Sequence, residues 1–470
     1  MIKDRDYQIN AIQGVRNAIF NGSKRVLVQA STGAGKTHIA ARIIESAVNK
    51  GKRVLFVAHR KEIIGQSSLK LDSMDIEHGI IMADHPRYKP TELVQVASVQ
   101  TLRVRHKPKA DIVFFDEAHL SVSKSFLDLV EHYKESIIIG LTATPVRTDG
   151  RGLGEIYQHM TQVVPMRDLI EQGFLVQPRV FAPFVPNLGN FKVVRGDYDA
   201  NQVAAEMDKS SITGDIVKHW KQHAQGRSTI CFASSVAHSQ HIVDEFNANG
   251  ITAKHLDAKT PAHLRDKIIE DFKIGKFKVL SNMGILIEGF DYPETSCVIL
   301  ARPTQSVTIY LQAVGRGMRT ACGKDDVIIL DHAGLTHSHG FVTDDREWSL
   351  DGRKKKSRKN AEDKALSVHI CVKCFCAYSK QEHPDACPEC GKETEKRAII
   401  EVDTDAQLVE IVPKEVIKAQ KRMELVQART LEELVDLGRS RGYQYPVQWA
   451  KRIIEQRNAW QNKKRGMVML

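Results

Sequence analysis

Two stretches of this 470-residue chain set chemically capable side chains at the ends of apolar runs. In "RVLVQASTGAGKTHIAARIIESAV" a short apolar run leads into Ala30-x-x-Gly33-x-Gly35-Lys36-Thr37 and then into a helical apolar period. The spacing departs from the general G-x-x-x-x-G-K-[ST] pattern only in Ala30 at the first place. Gly33 and Gly35 allow the backbone N–H groups of the loop, Thr32 to Gly35 with Ala34 between, to turn inward onto phosphate oxygens, and the opening helix adds its partial positive charge. Lys36 would reach the β and γ phosphates, and the Thr37 hydroxyl would join a Mg²⁺ ion. Downstream, "DIVFFDEAHL" sets Asp116 and Glu117 side by side at the end of a run apolar enough for a strand buried on both faces. Ligands of parallel α/β sheets sit at the carboxyl ends of strands. Asp116 is therefore expected to hold Mg²⁺, and Glu117 to orient and deprotonate an attacking water. Joined, the two stretches predict a site that cleaves a nucleoside triphosphate.

A third cluster is built from thiols. Of eight cysteines, Cys231, Cys297 and Cys322 are scattered and five crowd between 371 and 390. Cys371-x2-Cys374, twelve residues, then Cys387-x2-Cys390 can place four thiolates tetrahedrally around Zn²⁺ in a closed structural site. Cys376 is surplus, and His369 or His383 could substitute for a thiol. Redox pairs or free thiols are the competing readings.

The elements that must position these groups follow from periodicity. Apolar runs at "RVLFVA", "DIVFF" and "SIIIGLT", then at "STICFAS", "KVLSN", "CVILA" and "DVIIL", alternate with helical patterns. The expected fold class is α/β: two tandem RecA-like lobes, each a doubly wound parallel sheet, followed by a small zinc ribbon and a helical tail. The expected division is lobe 1 over 1–160 and a connecting region over 161–209 that contains the Pro- and Gly-rich "QPRVFAPFVPNLGN". Lobe 2 follows over 210–345, a basic linker over 346–367 with "RKKKSRK", the ribbon over 368–398 and a basic tail over 399–470. In the tail, helical patterns break at Gly438 and Pro446, and Trp449 and Trp460 interleave with Lys451, Arg452 and Arg457. Core packing explains these tryptophans more simply than base stacking.

Composition bounds the class. With 42% hydrophobic and 27% charged residues the chain reads as globular, and its formal charge of +11 with pI near 9.1 favours a polyanionic partner. No 18-residue apolar run and no signal-like start argue for a membrane or for export, so the cytoplasm is the expected location.

Ordered motifs carry a family resemblance. "DEAH" at 116–119, "LTATP" at 141–145, "EGFD" at 288–291 and "QAVGRGMR" at 312–319 resemble motifs II, III, V and VI of superfamily 2 helicases of the DEAD/DEAH-box kind. "RDYQ" at 5–8 and "VAHRKEII" at 57–64 resemble their adenine-recognition and Ia motifs. With "HLDAKTP" and "DHAGLTHSHGF", the chain is most similar to the branch of XPB, type III restriction translocase subunits and phage branch-migration helicases, over residues 1 to about 345.

The resemblance implies Gln8 at the adenine edge with Arg5 in support, Gly289 and Asp291 at the nucleotide, and Arg316 and Arg319 as arginine fingers. It implies His119, Thr142, Thr144 and Gln312 as the residues coupling the site to the rest. It puts nucleic acid on His59, Arg60, Gln100 and Thr101 of the first lobe and on "FASS" and Asn282 of the second. Ile287 stands where related chains often carry a small hydroxyl residue. The activity implied is an ATP- and Mg²⁺-dependent nucleic-acid translocase, a DNA helicase acting on branched or forked DNA, with DNA favoured over RNA and the zinc module open to a protein partner. The alternatives are a double-stranded DNA translocase that does not separate strands, and a nucleotide-gated nucleic-acid clamp.

Overall fold

A computed structural model of the chain describes residues 4–120, 123–147, 150–182, 192–194, 197–208, 210–287, 289–352, 368–371, 373–379, 382–393, 424–425, 427–441 and 446–466. The basic run 353–359, most of "FAPFVPNLGN", Glu288 and the Trp460 side chain lie outside the described residues. The chain divides into two units, residues 1–394 and 395–470.

The first unit opens with α1 (Asp6–Phe20), β1 (Arg25–Gln29), α2 (Lys36–Val48), β2 (Val54–Ala58), α3 (Lys61–Asp72), β3 (Gly79–Ile81), β4 (Val94–Ser98) and α4 (Val99–Val104). It continues through β5 (Ile112–Asp116), α5 (Lys124–His132), β6 (Ile137–Thr142) and β7 (His159–Gln162). The seven strands form one parallel sheet in the order β3-β4-β2-β5-β6-β1-β7. Val113, Phe114 and Phe115 of β5 are fully buried, as a strand covered on both faces requires. Each such burial contributes about 1.5–3 kcal/mol. The parallel arrangement brings Gln29, Asp116 and Thr142, the last residues of three neighbouring strands, to one edge.

The second lobe is assembled from α6 (Met166–Glu171), β8 (Gln177–Phe181), the two-residue strands β9 (Val193–Val194) and β10 (Asp197–Tyr198), α7 (Ala200–Met207) and α8 (Ser210–His223). Next come β11 (Thr229–Ala233), α9 (Val236–Ala248), β12 (Ala253–Leu256), α10 (Ala262–Lys273), β13 (Val279–Asn282), β14 (Cys297–Ala301), α11 (Val307–Gly317), β15 (Asp326–Asp331) and α12 (Leu335–His339). β16 (Val368–Ile370) and β17 (Cys376–Ser379) complete it. The order is β12-β13-β11-β14-β15-β8-β17-β16, with β9 and β10 forming a separate pair. Here β8, from the stretch expected to connect the lobes, is a parallel strand of the second sheet beside β15. β17, from the expected ribbon, pairs antiparallel with β8. The ribbon's hairpin is thus hydrogen-bonded to the lobe's sheet.

After α12 the chain returns to the first sheet. Gln162 Nε2 donates to Trp348 O at 3.0 Å, and the Gly154 N–H donates to Leu350 O at 2.9 Å. A Cβ on Gly152 would stand 1.9 Å from Leu350 O, so only glycine admits this crossing. Residues 163–166 and 342–348 line one shared cavity of about 290 Å³ between them.

In the second unit, α13 (Leu431–Ser440) and α14 (Pro446–Gly466) pack together. Gly438 does not break the first helix. It lies inside α13, where a Cβ would meet Pro446 Cβ at 3.0 Å and Trp449 Cε3 at 3.2 Å. Trp449 packs there against a bare backbone, in line with the packing reading, and Pro446 is the first residue of α14. No described helix is long and apolar enough to cross a membrane.

Candidate active site

The loop after β1 has the form its spacing predicted. Gly33 and Gly35 adopt φ of +88° and +82°, and α2 begins at Lys36. A Cβ on Gly33 would stand 2.5 Å from Leu175, and one on Gly35 would stand 2.6 Å from Gln8 Nε2. The loop is therefore covered closely on both sides. Thr32 and Thr37 are half-buried, and Ala34 is buried. Gln8, also buried, donates from Nε2 to Ala34 O at 3.1 Å and accepts the Arg5 N–H at Oε1 at 3.1 Å. A carboxamide has two donors and two acceptor lone pairs, so one of each remains for a base edge. Arg5 lies 3.6 Å from the ring centroid of Phe174, and its Nη1 donates to Tyr7 OH at 2.7 Å. Phe174 went unnoticed in the sequence, where nothing marks it apart from other apolar residues.

Asp116 ends β5, and Glu117 follows in the left-handed region at φ +50°, a strained position for a side-chain-bearing residue. Both are buried. Lys36 Nζ lies 3.4 Å from Glu117 Oε1. Burial and the adjoining Glu117 charge push Asp116 up to about 6, while Lys36 pulls the other way. Two carboxylates face one ammonium in a buried pocket. That imbalance, with the Thr37 hydroxyl on the adjoining helix turn, fits a divalent cation shared with phosphates.

From Glu117 a chain of hydrogen bonds crosses between the sheets. His119 Nδ1 lies 3.4 Å from Glu117 Oε2 and 3.3 Å from Thr142 Oγ1. Thr142 Oγ1 donates to Thr144 O at 2.9 Å and accepts the Thr144 N–H at 3.1 Å. Thr144 Oγ1 then donates to Thr308 Oγ1 on α11 at 2.8 Å. One helical turn further along α11, Gln312 Nε2 donates to Glu117 Oε2 at 3.3 Å. Another turn on, a Cβ at Gly315 would meet Thr32 Cγ2 at 2.5 Å. One face of α11 is thus laid against the loop and the acid pair. Thr308 was missed in the sequence, although it stands one turn before Gln312 in a helix whose other members were marked.

Arg316 and Arg319 sit at the end of this helix. Arg316 Nε and Nη2 donate to Ile287 O at 2.9 and 2.7 Å, and Nη1 donates to Phe290 O at 2.7 Å. Arg319 pairs with Asp291. These bonds direct both guanidinium groups to the loop after β13. The same loop meets the first sheet, since Gln66 Nε2 donates to Gly289 O at 2.7 Å and Arg60 Nη1 approaches Ile285 O at 3.5 Å. Ile287 takes part through its backbone, so its lack of a hydroxyl costs nothing at this contact.

The expected nucleic-acid residues divide. His59, Arg60 and Gln100 are gathered together: Arg60 Nε donates to His59 Nε2 at 3.3 Å, and Gln100 Nε2 to His59 O at 3.0 Å. Thr101 is buried, and its hydroxyl accepts the Ala83 N–H at 3.1 Å. Asn282 is fully buried, with Nδ2 donating to Cys231 O at 2.9 Å and Oδ1 accepting from Leu286 N at 3.2 Å. Both groups of its amide brace the backbone. In this arrangement Asn282 and Thr101 do not present the surface that direct contact with a strand requires, because strand and helix packing enclose them. The "FASS" segment is likewise mostly enclosed, with only Ser235 half-exposed.

The four expected thiols converge. The Sγ atoms of Cys371, Cys374, Cys387 and Cys390 all lie within 4.8 Å of one another, with Cys371–Cys390 at 3.7 Å and Cys374–Cys387 at 3.6 Å. Tetrahedral zinc with Zn–S bonds near 2.3 Å needs S–S edges of about 3.8 Å, so the donor set fits Zn²⁺. Cys376 stands outside it, with Sγ directed to Ala377 O, and His369 and His383 flank the Tyr378 ring instead.

Residues 1–147 match the family described as the type III restriction enzyme res subunit, and residues 208–321 match the helicase conserved C-terminal domain. A 51.5 kDa protein of a Lactococcus phage is 32% identical over 82% of each chain. IRC3 of Saccharomyces cerevisiae, whose description as an ATP-dependent helicase is itself provisional, is 32% identical over 72% of this chain and 52% of its own. The DNA 3'-5' translocase XPB2 of Sulfurisphaera tokodaii is 22% identical over 68% of this chain and 80% of its own. The chain thus spans most of the phage relative but about half of the yeast one. In fold it is similar to an HsdR-subunit fragment of a type I restriction enzyme from Vibrio vulnificus, with TM-score 0.58, 22% identity and coverage of 75% and 67%. It is also similar to the type ISP restriction-modification enzyme LlaBIII solved with DNA, with TM-score 0.53, 17% identity and coverage of 70% and 27%.

Proposed function

The chain belongs to the superfamily 2 ATP-dependent helicases, in the group that takes in IRC3, XPB and restriction-enzyme subunits, and from that premise we propose that it is a DNA motor. In this reading it closes two lobes on MgATP and uses the cycle to move along DNA and unwind or remodel branched or forked substrates. The observation that carries the reading is the hydrogen-bond chain from Glu117 through His119, Thr142 and Thr144 to Thr308, with Gln312 returning to Glu117. A group placed to activate water is thereby connected to a helix of the other sheet, so a change at the phosphate is felt across the junction.

Within this proposal Gln8 offers its spare donor and acceptor to adenine, and Arg5 with Phe174 closes that side. Lys36 and the loop N–H groups bind the phosphates, with Thr37 and Asp116 as the ligands that would hold Mg²⁺. The ion, when bound, would polarise the γ phosphate and lower the charge of the acid pair. Glu117 takes the proton from water. Arg316 and Arg319, now held on the loop carrying Gly289 and Asp291, exchange those partners for phosphate oxygens as the lobes tighten. His59, Arg60 and Gln100 form the nucleic-acid face of the first lobe. Cytoplasmic location and a protein partner at the zinc module belong to the same proposal.

The test is ATP turnover measured without nucleic acid and with single-stranded, duplex and forked DNA and RNA, in parallel with strand displacement on the fork. Stimulation by DNA and displacement of the strand are expected. Stimulation by duplex DNA without displacement would replace unwinding with translocation alone, and turnover indifferent to every nucleic acid would overturn the motor reading.

A further inference from the structure

The turn that ends α11 carries Arg316 and Arg319, and its backbone is gripped by a single side chain. Lys324 Nζ donates to Gly317 O at 2.6 Å and Arg319 O at 2.8 Å, and also to Pro293 O at 2.7 Å and Thr295 O at 2.5 Å. Gly317 O is the last carbonyl of α11, at the end where a helix leaves its C=O groups without partners and carries partial negative charge, and Arg319 O lies two residues beyond it. The other two belong to the segment just after Asp291, the partner of Arg319. Among the described residues no carboxylate lies within ion-pair distance of Lys324, so carbonyl dipoles are its close counter-charge. Three N–H groups serve four acceptors at distances that also suit a bare monovalent cation.

We propose that Lys324 is a positioning residue for ATP hydrolysis: its ammonium clamps the α11 turn to the segment after Asp291 and so fixes where the two arginines can reach. The proposal rests on the reading of Arg316 and Arg319 as groups that meet the γ phosphate. Lys324 itself touches no substrate. Its carbonyl grip sets the backbone position from which Arg319 departs, and a misplacement of about 1 Å at a reacting group can cost about 100-fold in rate.

The clamp has a titration. Burial holds Lys324 at about 8, below the ordinary lysine value; Arg319 and Arg227 add to the lowering, and Glu294 and Asp326 oppose it. As pH rises through that value the ammonium loses its charge and one of its three donors, and the four carbonyls are left to share two uncharged N–H groups.

The experiment measures kcat and the affinity for a non-hydrolysable ATP analogue from about pH 7 to 9.5, in the full chain with saturating nucleic acid, for wild type, Lys324→Met and Lys324→Arg. The expected result is kcat lowered about 10- to 100-fold in Lys324→Met with analogue affinity held within about twofold. Wild type should lose kcat above about pH 8, and Lys324→Arg, which stays charged, should retain turnover and lose that alkaline limb. A folded Lys324→Met with wild-type kcat would overturn the proposal. Should that variant fail to fold, the profiles decide: a flat wild-type profile, or an alkaline limb unchanged in Lys324→Arg, overturns it equally. Wild type without any nucleic-acid-stimulated turnover would instead count against the motor reading itself, which separates the two failures.

Discussion

Glu117 illustrates how much a single position concentrates. It has a left-handed backbone, a buried carboxylate, Lys36 on one side and both His119 and Gln312 on the other. Strain of this kind persists where surrounding contacts over-determine it, and it re-aims the carboxylate away from the strand direction. Glu117→Gln keeps shape and hydrogen-bonding capacity but cannot take a proton from water. The expected outcome is ATP affinity within about twofold of wild type and kcat lowered by about 10²–10⁴-fold, the usual worth of a general base, measured by analogue binding and steady-state turnover. Unchanged turnover would mean that another group removes the proton. The acid pair and the Gly-Lys-Thr loop were legible in the sequence because their chemistry needs fixed short spacings. Thr308, Phe174 and Lys324 were not, because what they do depends on partners far along the chain: Thr308 lies 164 residues from Thr144.

At the scale of elements, α11 and the ribbon hairpin are informative in opposite ways. α11 approaches the Thr32–Thr37 loop so closely that Gly315 has no room for a methyl group beside Thr32. Gly315→Ala is expected to push the helix back, lowering kcat by about tenfold or more while leaving analogue affinity nearly unchanged, in a stopped-assay comparison. An unaffected kcat would show that this contact is incidental to turnover. The ribbon was expected as a separate module, yet β17 extends the second sheet through β8. β8 itself was hidden in the sequence because it contains Pro178 and is only partly buried, so it lacks the continuous apolar run that disclosed its neighbours. Gly438 misled in the other direction, since a glycine inside a helix signals a close crossing as readily as an end. For the ribbon, metal analysis should find about one zinc per chain, reduced in Cys387→Ser along with thermal stability. Metal-free, fully stable wild-type protein would refute the assignment.

Across the whole chain, an excess of +11 formal charges accompanies a proposed polyanionic ligand. Neutralising even two phosphates makes binding fall about tenfold when salt rises from about 50 to 200 mM, because condensed counterions are released on association. The apparent DNA affinity, read from the DNA concentration that half-stimulates ATP turnover, is expected to fall at least that much. Affinity indifferent to salt would mean that the positive charge lies elsewhere than the DNA path.

The return of the chain from the second sheet to the first sets two of its covalent crossings, through residues 163–166 and 342–348, side by side along a common cavity, and the chain crosses once more between Gly352 and Val368 to reach β16. Two bodies tethered at neighbouring points stay close there, and a rotation about that line moves their far parts most. In the proposed motor, the closing stroke would then be smallest at these crossings and largest away from them.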